Sequence, residues 1–308
     1  MANELALVKK DTVDVVAGKV KQFQESGELH FPPSYSPENA MKSAWLLLQD
    51  IKTSKNDGNR PALEVCSKDS IANALLDMVV QGLNPAKKQG YFIVYGKTLA
   101  FQRSYFGTMA VTKRVTGAKE IDAAVIYEGD EVDYEIINGR IQNLKHKQKF
   151  GNINKDNIVG AYCTIVMAEG NVYTELMTIA EIRQAWSKAQ FWAKDAKEEK
   201  KGSTHDEFKQ EMAKKTVINR ACKKFMNSSD DSSLVMNHFF QSEENAEEAR
   251  ARQEINENAN SETLDIALGA APEQSEPLDI TPESESDHSA AYENFERQEQ
   301  KAGSGPGF

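Results

Sequence analysis

The sequence predicts an α+β fold: an antiparallel β-hairpin sheet flanked by helices, with a helical N-terminal region and a disordered acidic C-terminal tail. Three observations carry this. Short β-rich runs come in pairs around turn dipeptides, as at Gly96-Lys97 and Asn138-Gly139. Apolar residues at helical spacing precede and follow those pairs. From Gln241 the composition collapses into Glu, Asn, Ala, Ser and Pro, with few large apolar side chains.

In order, Leu5, Val8, Val13, Val16, Val20 and Phe23 form the stripe of a first helix ending before Gly27. Ser36-Pro37-Glu38 opens a second, through Met41, Trp45, Leu48 and Ile51. Ser67 caps a third, with Ile71, Ala74, Leu75, Met78 and Val79 inward and Gly82 at its end. These helices read as core or subunit contacts. Tyr91 to Tyr95 and Thr98 to Arg103 form a hairpin, and Ser104 caps the helix after it. Ile121 to Tyr127 and Glu131 to Ile136 read as strands joined at Gly129-Asp130, and Arg140 to Leu144 as the next. Lys145, Lys147, Lys149 and Lys155 sit in a Gly/Asn-rich stretch read as a mobile loop that sweeps over a bound strand. Ile158 to Ala168 is a buried central strand, Val172 to Met177 its hairpin partner, and Thr178 caps a helix through Ile182 and Trp186. A last core helix spans His205 to Met226. The expected division is 1–60 for N-terminal helices with subunit contacts, 61–240 for the core, and 241–308 for the tail.

The formal charge of −10 is unevenly spread. From Gln241 to Phe308 there are 17 Asp and Glu against 4 Lys and Arg, while residues 1–240 hold 30 acids and 33 bases. A basic body thus carries an acidic tail, and the low pI does not exclude nucleic acid. Cys66, Cys163 and Cys222 are scattered and apolar in setting. They suit a reducing cytoplasm and offer no zinc motif. No signal core or membrane-length apolar run is present.

The stretch from Asn84 to Arg114 is the functional signal. It holds Lys87, Lys88, Lys97, Arg103, Lys113 and Arg114, and no acid. Tyr91, Phe92, Tyr95, Phe101, Tyr105 and Phe106 are interleaved with them. Cations neutralise a phosphate backbone and aromatic faces stack on bases, although any one ring also suits a core. A second basic patch, Glu211 to Phe225, brings Lys214, Lys215, Arg220, Lys223 and Lys224.

GYFIVYGKTLAFQRSYFGTMAVTKR at Gly90 to Arg114 resembles the strand–strand–helix core of the RecT family of phage-type single-strand annealing proteins. EMAKKTVINRACKKF resembles that family's basic C-terminal core helix, and IYEGDEVDYE at Ile126 to Glu135 its acidic β-hairpin. Order and spacing agree over roughly residues 65 to 226. The resemblance implies binding of single-stranded DNA and its annealed duplex intermediate, and homo-oligomeric rings or helical filaments. It also implies a partner exonuclease, the host's single-strand-binding protein, and a bacterial host's cytoplasm. No cofactor is implied, and the chain lacks a Gly-x-x-x-x-Gly-Lys-Ser/Thr loop for nucleotide. Candidate DNA contacts are Lys87, Lys88, Tyr91, Lys97, Gln102, Arg103, Tyr105, Lys113 and Arg114, with the five cations of the second patch. Lys188 and Trp192 join them from a charged segment whose Phe191 and Trp192 are either anchors or stacking residues.

Two rival readings stand beside annealing. Glu128, Asp130, Glu131, Asp133 and Glu135 suggest the metal site of a nuclease, although acids alternating along a strand also make a solvated edge. A purely structural, self-assembling phage protein is the other. Lys215 leaves a further choice open. It projects near the middle of the stripe Phe208, Met212, Ile218, Cys222, Phe225 and Met226, so a buried acid holds it, or this face lines a groove and Lys215 meets phosphate, or the helix phase read from the stripe is off.

Overall fold

The computed structural model describes residues 7–54, 58–187, 201–227 and 233–259. Its N-terminal stripe folds as a π-helical turn, Lys10–Asp14, running into α1, Val15–Glu25, with Val13, Val16 and Val20 inward. Leu5 lies outside the described residues. α2, Pro37–Asp50, begins where the Ser36 hydroxyl accepts the Asn39 N–H and proline fills the first helical position. A short turn, α3 (Ala62–Val65), precedes α4 (Lys68–Val80), capped by Ser67.

The hairpin forms as β1 (Gly90–Tyr95) and β2 (Thr98–Arg103), with Tyr91 opposite Gln102. α5 (Tyr105–Thr116) follows, then β3 (Glu120–Tyr127), β4 (Glu131–Ile137), β5 (Arg140–Lys147), β6 (Ile158–Val166) and β7 (Val172–Thr178). A capping box between Thr178 and Glu181 starts α6 (Ile179–Trp186). The final helices are α7 (Thr204–Glu207), α8 (Lys209–Asn227) and α9 (Leu234–Ala259).

All strand pairing is antiparallel, in three sheets: β1-β2, β4-β5, and β3-β6-β7 with β6 central. The Gly129-Asp130 junction is therefore no hairpin, because β3 pairs with β6 while β4 pairs with β5. Two apolar cores result. The first gathers α1, α2, α4, the β1-β2 hairpin and Phe239 of α9. The second lies between the β3-β6-β7 sheet, α6 and α8, around Cys163, Ile165, Val217 and Cys222.

Two expected boundaries move. The N-terminal helices are not a region apart, since they share the first core with β1, β2 and α9 inside one unit, Met1–Glu262. The acidic tail drawn from Gln241 begins later. α9 runs to Ala259, and Ser242, Ala246 and Ala249 are buried along with Met236 and Phe239. The last core helix is also broken at Phe208, which leaves helical geometry and is 54% exposed. Its buried face is Ala213, Val217, Ile218, Ala221, Cys222 and Met226.

A candidate nucleic-acid interface

β1 alternates as a strand should. Phe92 enters the first core while Tyr91 on the opposite face stays exposed, and across the ladder Gln102 is exposed beside buried Phe101. Ser104 then turns the chain, its hydroxyl donating to the Lys88 carbonyl at 2.6 Å and accepting the Gly107 N–H at 3.2 Å. A Cβ on Gly107 would lie 2.0 Å from the Gln89 carbonyl oxygen, so glycine lets the helix start this close to the strand. Tyr105 is thereby set in the first turn, its ring 4.0 Å from that of Phe106.

Tyr91, Tyr95, Gln102 and Tyr105 form one side of an open cleft of about 380 Å³. Lys215, Asn219 and Lys223 of α8, successive at four-residue spacing, form the second. Glu243, Glu247 and Arg250 of α9 form the third, with Ser242 and Ala246. The cleft brings aromatic faces, amide groups and cations together and sets two carboxylates against them.

The cations differ sharply in what already holds them. Lys215 is exposed and has no ion-pair partner among the described residues. It lies at the edge of the buried face of α8, which is made by Ala213, Val217, Ile218, Ala221, Cys222 and Met226, and no buried acid among the described residues meets it. Lys223 is paired with Glu243.

Arg103 reaches the cleft wall, yet its guanidinium faces inward. Its Nη1 donates to Gln81 Oε1 at 2.8 Å, the Phe239 carbonyl at 2.6 Å and Ser242 Oγ at 2.7 Å. The Phe239 ring lies 3.6 Å below the group and Glu243 is 3.6 Å away. Burial pulls its pKa down to about 10, with Glu243 and Asp77 acting the other way. The structure therefore gives Arg103 a core-to-α9 role instead of an open phosphate contact. Arg114 is similar: it donates to the carbonyls of Gln81 and Gly82, closing the end of α4.

The other candidates are dispersed. Lys87 and Lys88 sit in the turn before β1, Lys97 at the exposed hairpin tip and Lys113 in the last turn of α5. Lys214 pairs with Glu211 at 3.1 Å. Arg220 and Lys224 converge on the buried carboxylate of Glu175, at 2.9 and 3.1 Å, and tie α8 to β7. Lys188 and Trp192 lie outside the described residues, as does Phe191. Tyr95, named among the interleaved aromatics but not as a contact, joins the cleft, and Asn219, Glu243, Glu247 and Arg250 were not anticipated. Asn219 was readable as the residue midway between Lys215 and Lys223, whereas the α9 residues were hidden in the stretch assigned to the tail.

The acids of the suspected metal site part company. Glu131 pairs loosely with Lys147 and Glu135 meets Asn143, both exposed, and a bulge interrupts the strand between Asp133 and Glu135. Asp130 instead is half-buried, with its carboxylate shielded from solvent, and accepts from the Tyr127 N–H, His146, Gln148 and Asn152 at 2.9 to 3.1 Å. Among the described residues no three His, Cys, Asp or Glu side chains gather as a metal set. Burial raises the Asp130 pKa, but the hydrogen bonds from Tyr127, Asn152, Gln148 and His146 outweigh it and hold the carboxyl well below the ordinary range. A depressed folded pKa stabilises above the unfolded value and loses that contribution as pH falls through the folded one. Asp130→Asn should thus lower Tm at neutral pH and flatten its dependence on pH below about 4, relative to wild type. Parallel acid-melting curves would refute this.

The chain matches the family model of the RecT family over residues 38–259, nearly three quarters of its length. This chain belongs to the RecT family. A search of curated proteins gave no match. The matched span takes in all three sides of the cleft, α9 included. RecT proteins act in single-strand DNA annealing during recombination, and that work is this chain's class. No described helix of this RecT protein is long and apolar enough to cross a membrane.

Proposed function

We propose that the protein binds single-stranded DNA in the cleft between the β1-β2 hairpin, α5, α8 and α9, oligomerises on it and promotes pairing with a complementary strand without nucleotide hydrolysis. Annealing needs phosphates neutralised and base edges left accessible, and it makes or breaks no covalent bond. Cations on α8 serve the first need and the tyrosines hold bases by their faces. Oligomers on DNA, a partner exonuclease that makes the single strand and the host's single-strand-binding protein complete the reading, in a bacterial cytoplasm.

The observation that carries this is Lys215, an exposed cation without an ion-pair partner among the described residues, on the wall of an aromatic-lined cleft. Lys215→Met keeps the stem and removes the charge. Its Tm should stay close to wild type, while the slope of log affinity against log salt for single-stranded DNA should fall by about one unit. A large fall in Tm with an unchanged slope would make Lys215 a structural residue. The same titrations, run with magnesium and a labelled strand, should show no cleavage.

A further inference from the structure

The lysine-rich segment formed by β5 and the turn after it takes no part in the cleft. Arg140 to Lys155 contains five Lys and Arg and no Asp or Glu. Its second half was expected to be a mobile loop, but Lys145 and Lys147 belong to β5, and Phe150–Asn152 closes a 3-10 turn. Asp130 builds that turn. His146, Gln148 and Asn152, which flank Phe150 on both sides, all donate to its buried carboxylate, and Gln148 also donates to the Val125 carbonyl at 3.0 Å. What this scaffold presents is the Phe150 ring, 92% exposed, beside exposed Lys149. The hub fixes the turn from inside, so the ring stands at a defined place on the surface, beside a lysine.

Resting on the annealing reading above, we propose that Phe150 is a second nucleic-acid contact, a stacking platform for an unpaired base of single-stranded DNA outside the tyrosine cleft, with Lys149 holding the adjoining phosphate. Charge selects this occupant. Lys149 has no ion-pair partner among the described residues, while Glu131 is opposed by Lys147, Asp133 by Lys145 across the ladder, and Asp130 is held in the hub. Lys155 reaches Asp206 and Lys209 reaches Asp156, which fastens the segment beyond Phe150 to the start of α8.

The test uses the full-length protein and an oligothymidylate. Phe150→Ala and Phe150→Leu should weaken binding about five- to hundredfold, because stacking on one base carries roughly that factor. Their Tm and salt slope should stay as in wild type, since a ring releases no counterion. Phe150→Tyr should restore binding, and the added indole of Phe150→Trp should be quenched by the oligonucleotide beyond the wild-type tryptophan signal. Unchanged affinity in Phe150→Ala without quenching in Phe150→Trp, while wild type binds, overturns the platform and leaves the cleft reading intact. Wild type that fails to bind overturns the cleft reading itself. If Phe150→Ala instead lowers the sedimenting mass at unchanged affinity, the ring is a subunit contact and the proposal is wrong.

Discussion

Ending the chain after Phe240 is expected to cost the fold about 3–5 kcal/mol, while ending it after Ala259 should leave thermal stability unchanged. The first truncation removes most of α9, including buried Ser242, Ala246 and Ala249. It also strips Ser242 and Glu243 from the Arg103 guanidinium, and taking one side away from a buried charge costs roughly that amount. Whole domains are stable by about 5–15 kcal/mol, so the loss would bring Tm down steeply or abolish cooperative unfolding. The second truncation removes only residues 260–308, which carry 11 Asp and Glu against 2 Lys and Arg. With that charge gone, single-stranded DNA affinity should hold or rise. Thermal melts of both truncations decide it, and equal Tm values would show that α9 contributes nothing.

Arg103→Ala should be the most damaging single change on the cleft wall, at about 3–5 kcal/mol. The substitution leaves Gln81 Oε1, the Phe239 carbonyl and Glu243 facing a hole where a fork of donors was. Arg103→Lys should recover little, because the shorter side chain does not carry its ammonium to the place of Nη1, which serves all three acceptors, and has no planar face to lay on the Phe239 ring. At a temperature where the variants remain folded, their salt slope should match wild type. A variant that melts normally but loses one unit of slope would return Arg103 to the role of phosphate contact.

These results bear on how much was written legibly in the chain. Helix starts were, because a cap is settled within four residues: Ser36, Ser67, Ser104 and Thr178 each accept the expected N–H. Hairpins were, for the same reason of locality. Strand partnership was not. Nothing around Gly129-Asp130 announces that β3 will pair with β6 across the whole β4-β5 hairpin, or that the Asp130 carboxylate will be shielded from solvent.

The Arg103 error was of the same kind, since its main partners in α9 lie 136 and 139 residues away. A cation beside aromatics looks alike in a groove and in a core. α9 itself was obscured by averaging. Met236, Phe239, Ser242, Ala246 and Ala249 keep helical spacing, but most are small, and the acids between them dominate any window. For Lys215 the stripe was read out of phase: the buried face of α8 includes the small residues Ala213, Val217 and Ala221, while Phe208 lies outside the helix, so Lys215 sits at the edge of that face and not in its middle.

Glu243 stands between Arg103 in the core and Lys223 in the cleft, and it acts as a tethered counterion. A phosphate that takes Lys223 displaces a carboxylate fixed to the protein, where at Lys215 it would displace a mobile salt ion. Only the mobile ion gains freedom by leaving, so the two lysines sit in one cleft and answer to different variables. If the cleft holds DNA as proposed, ionic strength tunes the grip of Lys215, whereas that of Lys223 follows how firmly α9 is seated, and the strength of binding becomes partly a property of the fold.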